Sequence, residues 1–172
     1  MMMNKSEQIQ IDEFSSEYQE DILNLIVNIQ QKEFGIPITA KDQPDLCSIK
    51  EFYQKGKGNF WVALLDKKPV GTISLLDIGS DQAALRKMFV DKSYRGQTYR
   101  VASKLLDALL KWSESKGIKE IYLGTTSKFL AAHRFYEKNG FHEITTASLP
   151  NAFPIMKVDT KFYKFEPELM NS

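Results

Sequence analysis

Residues 87–106 read KMFVDKSYRGQTYRVASKLL, and this stretch decides the architecture. It opens inside Ala83–Val90 (AALRKMFV), a strand reaching back to the turn at Gly79-Ser80-Asp81. Asp91–Gly96 (DKSYRG) is a loop. From Thr98 or Tyr99 to Lys116, the apolar residues Val101, Leu105, Leu109 and Trp112 fall on one helix face. Gly117 stops that helix, and Lys116 suits the negative end of its dipole. Glu120–Gly124 (EIYLG) is a strand again. A strand, a helical crossover and a second strand over 83–124 make one parallel pair, since the chain returns in the same direction.

Upstream, Gln8–Phe14 (QIQIDEF) alternates polar and apolar and reads as a half-buried strand. Ser16 with Gln19 fits a capping box, and Ile22, Leu25, Ile26 and Ile29 behind it predict an amphipathic helix over 17–32. Gly35–Pro44 is a polar loop, and a second helix presents Leu46, Ile49, Phe52 and Tyr53 before ending at Lys55–Gly58. Asn59–Leu65 (NFWVALL) and Val70–Ile78 are strands around the turn at Asp66–Pro69, so three antiparallel strands run through the middle. Downstream come a helix over Ser127–Asn139, a strand over Phe141–Thr146, a loop over Leu149–Pro154 and a last strand over Met156–Phe165. The fold class is α+β, a mixed α/β layer with helices packed on a mostly antiparallel sheet, expected to be one domain over residues 1–172.

Hydrophobic residues make up 42% and charged residues 26%, and 23 Lys+Arg against 22 Asp+Glu give +1. That balance argues against a disordered chain and against a nucleic-acid binder. The longest apolar run, Phe60–Leu65, is too short to span a bilayer, and residues 1–20 carry no secretory pattern. The single cysteine, Cys47, excludes an internal disulfide and a cysteine-based zinc cluster, and His133 and His142 alone do not make a histidine-rich site. No metal is expected, and the location is read as cytoplasmic. Cys47 is read as a small buried or half-buried residue rather than a nucleophile.

Between Arg86 and Lys119 stand nine Lys/Arg against three Asp/Glu, an excess of six in a chain whose total is +1. These charges surround the Tyr94-Arg95-Gly96-Gln97 loop and a helix N-terminus, whose free N–H groups and positive dipole end suit phosphate. The plainer reading of the charges alone is a solvated basic helix face.

The residues add to this. KMFVDKSYRGQTYRVASKLL, LGTT (123–126) and AAHRFYEKNGF (131–141) together resemble the GNAT superfamily of acyl-CoA-dependent N-acyltransferases. That family's signature, Gln/Arg-x-x-Gly-x-Gly/Ala, matches Gln97-Thr98-Tyr99-Arg100-Val101-Ala102, with Arg100 where the family has its middle Gly. Its Phe-Tyr and Gly-Phe pairs match Phe135-Tyr136 and Gly140-Phe141, and the element order agrees along nearly the whole chain. The resemblance implies acetyl transfer from acetyl-CoA directly to a primary amine, of a small molecule or a protein, in a ternary complex. It implies a backbone oxyanion donor at Met88 or its neighbours Phe89 and Val90, and Tyr136 as the acid that protonates the departing thiolate. Cofactor contacts are expected from Met88–Val90, Arg95, Gly96, Gln97–Ala102, Phe135 and Tyr136. Phe129 stands where many members carry an Asn that contacts CoA. Arg100 must point aside or lend its own charge to a phosphate.

The strand Ala83–Val90 holds no Asp or Glu, so the base some members place there has no counterpart. Glu33, Asp77, Asp81 or a water chain remain. His133, one turn before Tyr136, reads as an exposed helical histidine or as a proton shuttle. On the acceptor side, Phe34 and Phe153, with Ile36 and Tyr53, are candidates for apolar walls, and Asp42 and Asp45 for attracting a cation. Each also has an ordinary reading as core packing or helix capping. Homodimers occur in the family. The alternatives from other classes are an acyl-CoA-binding regulatory module without turnover and an interaction scaffold.

Overall fold

In the computed structural model, which describes residues 4–167, the central meander is β2 (Asn59–Leu65), β3 (Lys68–Gly79) and β4 (Gln82–Val90). Two tight turns join them, and each places two residues at positive φ: Asp66 (50°) and Lys67 (67°), then Ser80 (56°) and Asp81 (58°). Paired left-handed residues give a two-residue turn the twist of a hairpin. β1 (Gln10–Glu13) pairs antiparallel with β2. Helix α3 (Val101–Ser115) crosses over to β5 (Glu120–Thr125), which lies parallel to β4. β7 (Lys161–Phe165) follows β5 in space, and β6 (His142–Ile144) pairs with β7, giving the order β1-β2-β3-β4-β5-β7-β6.

From Phe60 onward β2 is apolar because both of its faces are covered. Phe60, Val62 and Leu64 join Ile22 and Ile26 of α1 (Gln19–Asn28) and Ile49 and Tyr53 of α2 (Ile49–Tyr53). Trp61 and Ala63 face the other core, with Val101, Leu105 and Leu109 of α3. Helix α4 (Leu130–Lys138) adds Tyr136 to that second core.

Several boundaries differ from the sequence reading. α1 stops at Asn28 and widens into a π-helical turn over Ile29–Glu33. The Ser16/Gln19 capping box does not form: no side-chain cap bond is present there, and the Gln19 amide donates to the Leu46 carbonyl. α3 starts at Val101 because Arg100 is left-handed, at φ 56° and ψ 35°. The last strand begins at Lys161, since Met156–Asp159 is a turn in which the Asp159 carboxylate accepts the Met156 N–H at 2.9 Å. Cys47 is exposed, not buried.

Candidate active site

β4 and β5 pair only over Gln82–Ala84 and Glu120–Tyr122. Beyond that point β4 carries a bulge: Ser74 pairs with Arg86 and Thr72 with Phe89, and Lys87 has φ 53°. The buried hydroxyls of Thr72 and Ser74 hold it by donating to the carbonyls of Lys87 (2.7 Å) and Arg86 (2.6 Å). A bulge bends its strand and ends regular pairing, so the sheet opens between β4 and β5. Two cavities meet at this gap and share Met88, Phe89, Thr125, Phe129 and Tyr136 as lining.

The larger cavity, about 390 Å³, is walled by Ile29, Phe34, Val90, Ala102, Leu130 and Phe135. Its size and apolar walls suit a flexible acyl or pantetheine-like arm. Gly96 and Ala102 at its rim bring it to the start of α3. There Arg100 N–H donates to the Gly96 carbonyl (3.2 Å), and the first bond into the helix runs from Lys104 N–H to the Arg100 carbonyl (3.1 Å). The N–H groups of Val101, Ala102 and Ser103 therefore lack intrahelical acceptors, and the dipole's positive end lies with them. Arg100 explains its own position: the chain needs a left-handed residue before α3, which Gly supplies most easily. Arg95 lines the same cavity, but its guanidinium is engaged by both Glu33 oxygens, by the Val90 carbonyl (2.9 Å) and by the Phe34 ring. Glu33 is thereby tied down as an ion-pair partner.

Tyr136 is 5% exposed and lines both cavities. Burial, with Tyr163 nearby, pushes its phenol well above the usual range, so it keeps its proton. His133 is buried rather than exposed, and its Nε2 meets the Thr126 carbonyl at 3.0 Å. A carbonyl accepts, so that nitrogen carries the hydrogen. The bond ties α4 to the end of β5 and fixes the segment bearing Phe129.

The smaller cavity, about 120 Å³, includes Ile36, Phe153, Gln43, Arg86, Lys87 and Asp159. Phe153 thus stands on this side, whereas Phe34 stands on the other, edge-on to Phe129 at 4.7 Å. Tyr53 is wholly buried and donates to Asp45 at 2.5 Å, so neither walls the cavity. Asp42 closes a turn with Thr39, and that hydrogen bonding lowers its pKa. Asp77 accepts the backbone N–H groups of Lys57 and Gly79, and Asp81 pairs with Lys57, so both belong to turns. Sequence reasoning missed Arg86, Lys87 and Asp159. The first two were counted only as part of a basic stretch, and Asp159 lay inside an expected strand.

The model of the Acetyltransferase (GNAT) family matches residues 23–141. N-acetylaspartate synthetase from Xenopus tropicalis is 36% identical over 102 residues, 58% of this chain and 37% of that protein. Human N-acetyltransferase 8B is 31% identical over 105 residues, 56% of this chain and 44% of its own. The chain therefore spans well under half the length of these relatives. The crystal structure of a GNAT-family acetyltransferase from Staphylococcus aureus Mu50 superposes with a TM-score of 0.89, at 41% identity over 92% of this chain and 99% of that one. An opened sheet between β4 and β5, a helix N-terminus at its rim and a family match over more than half the sequence lead to one assignment: the chain belongs to the acetyltransferase (GNAT) family.

Proposed function

We propose that the protein is an acetyl-CoA-dependent N-acetyltransferase that transfers the acetyl group directly to a primary amine in a ternary complex. The observation that carries this reading is the pair of cavities meeting at Met88, Phe89, Thr125, Phe129 and Tyr136, one apolar and bounded by a helix N-terminus, the other with the charged side chains Arg86, Lys87 and Asp159 in its lining. Acetyl-CoA, when bound, supplies an activated acetyl thioester. The N–H groups of Gln97–Tyr99, Val101 and Ala102 would hold its pyrophosphate, that of Arg100 being taken by the Gly96 carbonyl, and Ile29, Phe34 and Ala102 would wall its arm. The backbone at Met88, next to the bulge, would offer an N–H to the carbonyl oxygen. Tyr136, held protonated by burial, would donate its proton to the departing sulfur. Asp159 would receive the proton of the incoming amine: it lines the smaller cavity, and burial raises its pKa toward that of a working base. The acceptor, whether a free small molecule or a protein amine, enters from this second cavity. Among the described residues no helix is long and apolar enough to cross a membrane, which is compatible with a cytoplasmic location.

The test is calorimetric titration with acetyl-CoA and CoA, followed by thiol-release assays over a panel of amines. Saturable binding of both and amine-dependent thiol release are expected. Binding without release from any amine would favour the non-catalytic acyl-CoA-binding module, and no binding would overturn both readings.

A further inference from the structure

The smaller cavity carries a charge pattern that the transfer reaction itself does not require. Arg86 and Lys87 are neighbours in β4, and in a regular strand neighbouring side chains point to opposite faces. The bulge breaks that alternation, and both residues line the same cavity. Their side chains are only 11% and 8% exposed. Asp45 is the one carboxylate within ion-pair reach of either, 4.0 Å from Arg86 Nη2 and 3.7 Å from Lys87 Nζ, among the described residues. Its Oδ2 also accepts the Tyr53 hydroxyl. One anion between two cations leaves this wall with a net positive charge.

Lys87 has a near partner, because its Nζ donates to Gln43 Oε1 at 2.6 Å. Arg86 is less well served. Among the described residues the acceptor within hydrogen-bond distance of its guanidinium is the Met156 sulfur, at 3.4 Å, a weak one. No buried nitrogen of that group lacks a partner, and Arg86 lines the cavity. The guanidinium is also held in orientation by the Phe52 and Tyr53 rings, 5.6 and 5.9 Å from its carbon. A fixed, half-neutralised fork of N–H donors at a cavity wall is the arrangement that receives a carboxylate bidentately. Asp159 lines the same cavity and feels both cations. The cavity thus has a cationic wall and an anionic one, the polarity of an amine and a carboxylate carried by one small molecule.

We infer that the acceptor is a small amine bearing a carboxylate, an amino acid in the chemical sense, and that Arg86, supported by Lys87, binds the carboxylate and sets specificity. The inference rests on the transferase reading above and deepens it. A polyamine, or a lysine side chain in a peptide without a nearby carboxylate, would leave the guanidinium unpaired and is a poor acceptor.

The experiment compares thiol release from acetyl-CoA with free amino acids, their α-carboxamides, spermidine and a lysyl peptide, in the wild type, Arg86→Gln and Lys87→Met. Acetyl-CoA binding is measured in each by calorimetry to verify the fold. In the wild type the best amino acid should exceed its carboxamide in kcat/KM by at least about tenfold, the worth of one charge-assisted pair. In Arg86→Gln that ratio should fall toward one, chiefly through KM. The ratio compares two substrates on one preparation, so partial misfolding does not move it. Equal or better use of the carboxamide, transfer only to spermidine or the peptide, or an unchanged ratio in Arg86→Gln would overturn the inference and leave the transferase reading standing. Absence of acetyl-CoA binding in the wild type would overturn the transferase reading, and the inference with it.

Discussion

Tyr136 joins the two cavities at the scale of a single residue, and its environment decides what it can do. Burial raises its pKa, so it holds its proton through the neutral and mildly alkaline range. Tyr136→Phe should lower kcat by about a hundredfold, in the ordinary range for removing a general acid. Acetyl-CoA affinity should stay within about threefold, as the hydroxyl is a small part of a large apolar contact surface. Pre-steady-state acetyl transfer with calorimetry separates the two effects, and a collapse of affinity with unchanged transfer would make Tyr136 structural. The same protonation predicts no alkaline loss of rate from this group below pH about 10. His133 is a second residue whose role the structure changed. The sequence showed only a histidine one turn from Tyr136, and burial against Thr126 depends on how β5 runs into α4, which no local pattern records. His133→Ala should cost about 0.5–1.5 kcal/mol for the lost hydrogen bond, because the Thr126 carbonyl keeps the Phe129 N–H at 3.1 Å, measured by urea unfolding.

At the scale of elements, the turn before α3 and the turn after Met156 carry the argument. Arg100 sits at φ 56°, a conformation that costs an L-residue about 1–2 kcal/mol. Arg100→Gly should therefore raise stability by up to about 1 kcal/mol, less than the strain because Gly loses more freedom on folding. Arg100→Val should lower it, and acetyl-CoA binding should survive the glycine variant. Loss of binding there would mean that the arginine itself holds a phosphate. The signature spacing at Gln97–Ala102 made this element legible in the sequence, whereas its first helical residue was not, since positive φ at an arginine leaves no compositional mark. Likewise the apolar residues of 156–165 suggested a longer strand. The Asp159–Met156 bond that stops it joins residues three apart in a form resembling ordinary strand composition. Asp159 is also held by space. A Cβ built on Gly124 would stand 2.5 Å from Asp159 Oδ2 and 2.7 Å from its Cγ. Gly124→Ala must push that carboxylate aside, and it should raise KM for the amine while acetyl-CoA affinity is retained.

Across the whole molecule, the distribution of charge was only partly readable. Counting found the excess of Lys/Arg over 86–119, and the element order gave the layered sheet, because periodicity reports which faces are buried. Counting could not show that two of those cations turn inward, since that follows from a bulge held by Thr72 and Ser74 on the neighbouring strand. The inward turn has a consequence for the stability of the entire fold. Burial lowers the Lys87 pKa from 10.5 to about 8, against the opposing pull of Asp45. The unfolded chain keeps this proton up to about pH 10.4, while the folded chain releases it near 8. Between those values the unfolded state binds more protons, so the folded state gains stability as pH rises through the window. The cationic form is correspondingly a cost at neutral pH, up to about 3 kcal/mol. Tyr53 and Tyr136, whose pKa values are raised, act in the opposite sense once free tyrosine ionises near pH 10, so the Lys87 effect is read below about 9.5. Urea unfolding of the wild type and of Lys87→Met, each at pH 7.5 and 9.5, isolates it. The wild type should gain stability over this interval relative to the variant, which lacks the titrating amine. A difference that stays flat would mean that Asp45 and Gln43 hold the proton on Lys87 throughout, and that the positive wall of the smaller cavity persists at alkaline pH.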